Sequence, residues 1–453
     1  MKERMIGSDF TTGNIPKQLL TFATPLFLSS LLQMVYNMVD MIIVGNVLGD
    51  VGLSAVAVGG DVSNMLLFLG MGFTNAGQVI ISKYIGAGDK EKVGRFIATM
   101  FSTLFLASAS LTVICYFLRT HFLVWMNTPE ESFAEALSYS TICILGMVFI
   151  YGYNAISAVL RGLGDSKHPF IFVSIAALLN VFLDLLFVIG FQMGAGGAAL
   201  ATVISQSVSF FSCAVFILHK KEQLGFEIHF NDFLHIDLPM LADLTKLGTP
   251  MAIKSASIHF SRLFVNSWIN SYGVSVSAFA GIAAKINSIS NLMSNALNTA
   301  GASMVGQNIG AKTYKRVPKI LTTIAGATFL IASVLTATFF LFPDQIFRIF
   351  TQEDAVLAIA KEYLPIAALI FFGSACRAPS NAIVNGSGNY RVNFAVAILD
   401  GLILRIGLSL LFGLYFDMKY FGFWLGDALA GFTPMFIGAV FYYKGSWREK
   451  KNA

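Results

Sequence analysis

The chain has 453 residues, 56% of them hydrophobic and 12% charged, with a formal net charge of +5 and a mean hydropathy of +0.70. A soluble chain of this length would carry about 25% charged residues, so there is too little polar surface to wrap one large water-soluble core. The apolar runs are long and continuous, which excludes an outer-membrane barrel of alternating strands of about ten residues. These features define an all-α polytopic membrane protein.

The first residues, Met1 to Pro16, are polar and of mixed charge and lead directly into an apolar segment. No short apolar region followed by a small-residue cleavage site is present, so no cleaved signal peptide is expected. Polar or Gly/Pro-rich breaks then delimit about twelve apolar segments. They run over 18–48, 52–84, 95–118, 134–160, 169–191, 196–218, 246–271, 275–308, 318–342, 357–384, 392–415 and 421–443. Several exceed the ~20 residues a bilayer needs, so tilting, bending or protrusion is expected. Between the sixth and seventh, apolar residues (Phe226, Ile228, Phe230, Phe233, Leu234, Ile236) alternate with Glu227, Asp232, Asp237 and Asp243. That mixture predicts an amphipathic connector lying on a surface. The expected division is a first lobe at 1–222, a connector at 223–245 and a second lobe at 246–453. Cys115, Cys143, Cys213 and Cys376 form no CxxC spacing and read as small apolar packing residues.

Most of the 30 Lys and Arg residues fall in alternate connections: Lys2, Arg4 and Lys17; Lys83, Lys90, Lys92 and Arg95; Arg161 and Lys167; Lys220 and Lys221; Lys312, Lys315, Arg316 and Lys319; Arg391; Lys444, Arg448, Lys450 and Lys451. The opposite connections hold Arg119, Arg348, Lys361 and Lys419. The positive-inside rule then puts both termini in the cytoplasm. The basic loops are short, separate and lack interleaved aromatics, so no nucleic-acid partner is expected.

The sequence repeats at a spacing of about 224 residues. Ile85-Gly86-Ala87 through Val93 reappears as Ile309-Gly310-Ala311 through Val317, and Arg161-Gly162-Leu163-Gly164 as Asn385-Gly386-Ser387-Gly388. Thr24-Pro25 in the first span matches Thr249-Pro250 in the seventh. Two six-helix halves of the same orientation follow, with a substrate site expected between them near the midplane. Gly86, Gly162 and Gly164, with their partners, are expected to supply positive φ where helices turn. Pro25 and Pro250 each remove a backbone hydrogen bond and permit bending of spans one and seven.

Asp40 lies inside the first apolar segment, where a lipid-facing carboxylate costs about 2.5–3.5 kcal/mol on insertion scales. Such a residue is expected to face a cavity and hold a proton or cation. Asn180 and Asp184, four apart, share one face of the fifth span, and Thr202 in the sixth adds a hydroxyl. Their repeat counterparts are Phe264 (near Asp40), Leu404, Leu408 and Gly426. An all-oxygen cluster confined to one half suits a proton or a hard monovalent cation rather than helix glue. In the other half Asp400 and Asp427 are expected to pair with Arg405, Arg377 or Lys285, since buried charge must be neutralised.

Twelve spans in two lobes, Thr-Pro in spans one and seven, the repeated Gly-rich loops and the stretch Pro25-Leu26 through Val44-Gly45 together resemble the multidrug and toxic compound extrusion (MATE) family. Asp40, Asn180, Asp184 and Thr202 match the first-lobe site of its DinF-like subgroup. The resemblance implies a substrate cavity to which Tyr36, Asn37, Tyr139 and Asn154 belong. Span seven has Lys254 and Ser255, and span ten Ile370-Phe371-Phe372, so the second-lobe acids of the NorM-like subgroup are missing. The implied activity is antiport rather than enzymatic turnover: a proton or sodium ion enters as an organic, often cationic and amphipathic compound leaves. No cofactor or metal is implied beyond sodium at the coupling site. The partners are small organic substrates and membrane lipids, the chain acting as a monomer in a prokaryotic inner membrane. The competing reading is a flippase for a lipid-linked or other anionic precursor, which the cations of the second half would suit.

Overall fold

In hydrocarbon a backbone N–H or C=O finds no water, and a helix satisfies both within one segment, so these apolar runs fold as helices. The computed structural model describes residues 7–224, 226 and 230–448, apart from the side chains at 221, 222, 224 and 230. Lys2, Arg4, Lys450, Lys451, Glu227 and Ile228, and the side chains of Lys221 and Phe230, therefore lie outside the described residues. Among the described residues there is no strand. In order the helices are α1 (Ile15–Ala87), α2 (Lys90–Trp125), α3 (Glu130–Leu145), α4 (Met147–Gly162), α5 (Lys167–Asp184), α6 (Gly194–Leu224) and α7 (Leu238–Asn270). Then come α8 (Val274–Gly310), α9 (Val317–Leu341), α10 (Pro343–Phe347), α11 (Asp354–Gly386), α12 (Tyr390–Ile398), α13 (Leu404–Leu410), α14 (Lys419–Ala430) and α15 (Thr433–Tyr443).

These resolve into twelve spans. α1 is two helices joined at Gly49, whose φ of 61° and ψ of −149° belong to a region open essentially only to glycine. α3 and α4 form one span bent by 49°, and α12–α13 and α14–α15 each continue as one. α7 and α8 carry more polar residues than the others and are long enough to cross at 33 and 37 residues. Only 17% to 50% of each apolar window is buried, so large residues such as Phe117, Leu178 and Leu330 face outward, as lipid contact requires.

The described residues fall into two units. One comprises Thr24–Gly248 with the described residues up to Asp9; the other comprises Phe10–Ala23 and Thr249 onward. The segment 10–23, expected in the first lobe, thus groups with the second. Phe10 is fully buried there, its N–H donating to Gln307 Oε1 (3.0 Å) and its carbonyl accepting from Asn308 Nδ2 (2.9 Å). Two of the three unit boundaries fall directly before a Thr-Pro pair, at Ala23/Thr24-Pro25 in α1 and at Gly248/Thr249-Pro250 in α7.

The connector does not float free. Arg95, Thr99 and Ser102, on one face of α2, reach it in turn: Arg95 Nη2 to Asp237 Oδ2 (2.5 Å), Asp237 N–H to Thr99 Oγ1 (3.3 Å), and Ser102 Oγ to Phe233 O (2.7 Å). Asp237 then leads into α7, which begins at Leu238, eight residues before the expected span.

The repeat is visible in the backbone. Gly88 (φ 74°) and Lys312 (φ 60°) are counterparts, as are Gly164 (84°) and Gly388 (67°), and Gln192 (52°) and Asp417 (51°). A widened π turn precedes the last pair: Phe191 N–H donates to Leu186 O (2.9 Å) and Phe416 N–H to Leu411 O (3.0 Å). Gly86 and Gly162 do not supply positive φ, contrary to expectation; both are helical. Gly162 instead allows close packing, since a Cβ there would lie 2.9 Å from Gln78 O, and its counterpart Gly386 meets Ala302 O at 2.7 Å. Small residues at such crossings are how membrane helices approach one another.

Two substitutions separate conformation from packing. Gly88→Ala, where a Cβ meets nothing within 4 Å, is expected to cost about 1–2 kcal/mol through its left-handed φ alone. Gly407→Ala, also unobstructed but helical, is expected to gain about 0.5–1 kcal/mol. Thermal melting of the two purified variants in detergent checks the opposite signs.

Candidate functional site

Three helices of the first unit bring Asp40, Asn180, Asp184 and Thr202 together. α1 supplies Asp40, 5% exposed; α5 supplies Asn180 and, at its last residue, the fully buried Asp184; α6 supplies Thr202. The side chains of Asp184, Thr202 and Asn180 all act on the Asp40 carboxylate, and Asp184 faces Asp40 in return. Asn180 Nδ2 points at Thr202 Oγ1 over 3.5 Å. Asp184 sits at the junction where α5 passes into the π-helical turn Leu185–Gly190, a local widening frequent at functional sites.

The acceptors in this cluster outnumber the donors. Asp40 Oδ1, Asn180 Oδ1 and both oxygens of Asp184 are buried without a hydrogen-bond partner. Among the described residues neither carboxylate forms an ion pair. Buried acceptors ordinarily find a donor, and leaving one unmade costs about 1–3 kcal/mol. A shared proton, or one monovalent cation held by carboxylate, amide and hydroxyl oxygens, is what this arrangement can accept.

Aromatic and polar residues surround the pair. Tyr36, one turn before Asp40, lies beside Gln206 and within electrostatic range of Asp40. Tyr139 is buried next to Cys143 and acts on the same carboxylate. It also packs on Gly59, where a Cβ would fall 2.6 Å from its ring. Of the other residues that the family resemblance adds, Asn37 is exposed and Asn154 donates its amide to Ile150 O (2.8 Å) of its own helix. Gln206 was not foreseen; its spacing of four from Thr202 on α6 is the signal that places it on the same face.

The second unit treats its charges differently. Arg405, 1% exposed, pairs with Asp400 (2.9 Å) and with Asp427, while Arg377 approaches Asp400 at 4.0 Å. Arg405 therefore takes both aspartates; Lys285 is exposed and pairs with neither among the described residues. Lys254 Nζ donates to Asn381 Oδ1 (2.7 Å). The matched turns set Leu186 with Leu411, Phe191 with Phe416 and Gln192 with Asp417, so Arg405 and Asp427, rather than Leu404 and Gly426, stand where Asn180 and Thr202 stand in the first half. Gly426, beside Asp427, lets two helices approach closely, since a Cβ there would lie 2.3 Å from Ser409 N.

Two repeated six-helix halves and an intramembrane acidic pair in one of them define a class of multi-pass membrane transport proteins. The MatE family model matches residues 25–186 and again 250–411, and the chain belongs to this family of membrane transporters. It is 30% identical over 450 residues to the Bacillus subtilis "Probable multidrug resistance protein YpnP", covering 98% of both chains. Its fold is similar to a multidrug resistance MATE family transporter of the MOP superfamily solved in an outward-facing conformation (TM-score 0.91, 20% identity, 99% and 100% coverage). It is also similar to a MOP superfamily transporter from Pyrococcus furiosus whose binding pocket is described as reversed in polarity (TM-score 0.90, 21% identity, 99% and 100% coverage).

The Arg405 pairings supply a stability test. Arg405→Met strands two buried carboxylates and is expected to cost about 3–5 kcal/mol. Adding Asp400→Asn and Asp427→Asn should recover most of that loss. Detergent melting curves of the single and triple variants check it; equal stability of parent and Arg405→Met would contradict the pairing.

Proposed function

We propose that this chain is a proton- or sodium-coupled antiporter that exports small organic compounds, often cationic and amphipathic, by alternating access. The observation that carries this reading is the Asp40–Asp184 pair, buried with Asn180 and Thr202 and lacking any neutralising cation among the described residues. The chain tolerates an uncompensated acidic pair in one half while pairing both spanning aspartates of the other, which fits a transient occupant better than a structural role. The naming of YpnP as a multidrug resistance protein supports the substrate class.

Coupling requires that cation and substrate bias one conformational equilibrium in opposite directions. Pro25 and Pro250 are the proposed bending points. In support, each lies inside a helix, each stands one residue past a unit boundary, and Pro25 has no N–H to close its turn. Ser29 and Ser30 donate to the carbonyls of Pro25 and Leu26 (2.7 and 3.2 Å), contacts that also loosen helices. The basic loops favour an inner-membrane orientation with both termini cytoplasmic.

Asp40→Asn and Asp184→Asn are expected to insert and melt like the parent yet lose at least tenfold in dye efflux from energised cells. Thr202→Val should lose less, because it removes a weaker ligand. Full driven efflux by both aspartate variants would overturn the assignment.

A further inference from the structure

The coupling reading leaves a second polar site unused. Within the second unit a small cavity of about 20 Å³ lies among α7, α8, α11, α13 and α14, lined by Arg262, Arg377, Arg405, Asp427, Asn287 and Asn291, so an oxyanion enters only as the arginine side chains give way. Four cations gather here, counting Lys254, which acts electrostatically on Asp400 and Arg377. Against them stand Asp400 and Asp427, both engaged by Arg405. Positive charge is therefore in surplus inside membrane-spanning helices, where charge ordinarily finds a counter-charge.

The hydrogen bonding is incomplete in the same sense. The Nε of Arg262, of Arg377 and of Arg405 is buried without an acceptor. Among the described residues Arg377 Nη2 donates to Gly431 O at 3.4 Å and lies 4.0 Å from Asp400 Oδ1, an aspartate it shares with Arg405. Guanidinium groups are planar forks of donors that fit carboxylate or phosphate oxygens two at a time. Asn287 and Asn291 add amides that can donate to the same oxygens. Asp427 on the wall would repel an anion, but its charge is offset by Arg405, which it already pairs.

We infer that this cavity is an oxyanion site that takes the phosphate or carboxylate head of an amphipathic molecule between Arg262 and Arg377, with Arg405 held behind them by its two aspartates. It does not depend on the coupling role of Asp40 and Asp184. It adds to the transported class compounds that present an anionic group beside an apolar body.

The test uses the full chain in nanodiscs of zwitterionic lipid, titrated calorimetrically with octyl phosphate, with inorganic phosphate and with octyl glucoside as the neutral amphiphile of equal chain length. Octyl phosphate should bind saturably and octyl glucoside should not. Arg262→Gln and Arg377→Gln should each weaken octyl phosphate at least tenfold while melting within a few degrees of the parent. Arg405 is left intact because it holds two buried aspartates. Inorganic phosphate binding with the same arginine dependence supports a site that reads the oxyanion alone. Weakened binding when phosphatidylglycerol is added to the disc supports the same site, filled by a lipid headgroup. Absence of saturable octyl phosphate binding, or binding that both arginine variants retain in full, would overturn the inference.

Discussion

Every ionisable side chain in a spanning helix must be paired, hydrogen-bonded or turned toward a cavity, because hydrocarbon solvates no charge. The two halves of this chain meet that constraint in opposite ways. The second half draws Asp400 and Asp427 onto Arg405 and closes the space beside them with Gly426. The first half sets Asp40 against Asp184 and supplies neutral oxygens from Asn180 and Thr202. A repeated fold with arginine-paired aspartates in one half and an aspartate pair without an ion pair among the described residues in the other has a built-in asymmetry.

The backbone repeats more faithfully than the side chains. Gly88 and Lys312, Gly164 and Gly388, and Gln192 and Asp417 hold matching left-handed positions, and the π turns at 185–190 and 411–415 match as well. One further π turn, Leu399–Ile403, has no counterpart in the first half and carries Asp400. Beyond that extra π turn the matched positions are one residue further apart, so Arg405 and Asp427 occupy the places of Asn180 and Thr202. The chemistry diverges by substitution at matched positions, without disturbing the fold.

Much of this was legible from the residues. Span limits followed from apolar run length, and the repeat followed from loop motifs, because neither depends on how helices pack. The pairing of Asp400 and Asp427 with arginine followed from charge neutrality alone. Other features depend on three-dimensional contact and were not legible. Gly86 and Gly162 look like turn glycines in a Gly-rich motif, yet Gly162 serves a helix crossing. Residues 10–23 join the second unit through Gln307 and Asn308, almost 300 positions away. The family likeness adds Asn37 and Asn154 to the cavity; that Asn37 is exposed and that the Asn154 amide is satisfied by its own helix are facts of packing.

The central claim is that cation entry at the Asp40–Asp184 pair drives a solute outward. Transport by the purified chain in proteoliposomes, with proton and sodium gradients imposed separately, tests it most directly. The account predicts that a cationic dye moves against its own gradient when one of the two cation gradients is imposed, and that this movement stops when the gradient is collapsed. Dye movement that only ever follows its own gradient, at a rate indifferent to both cations, would contradict it.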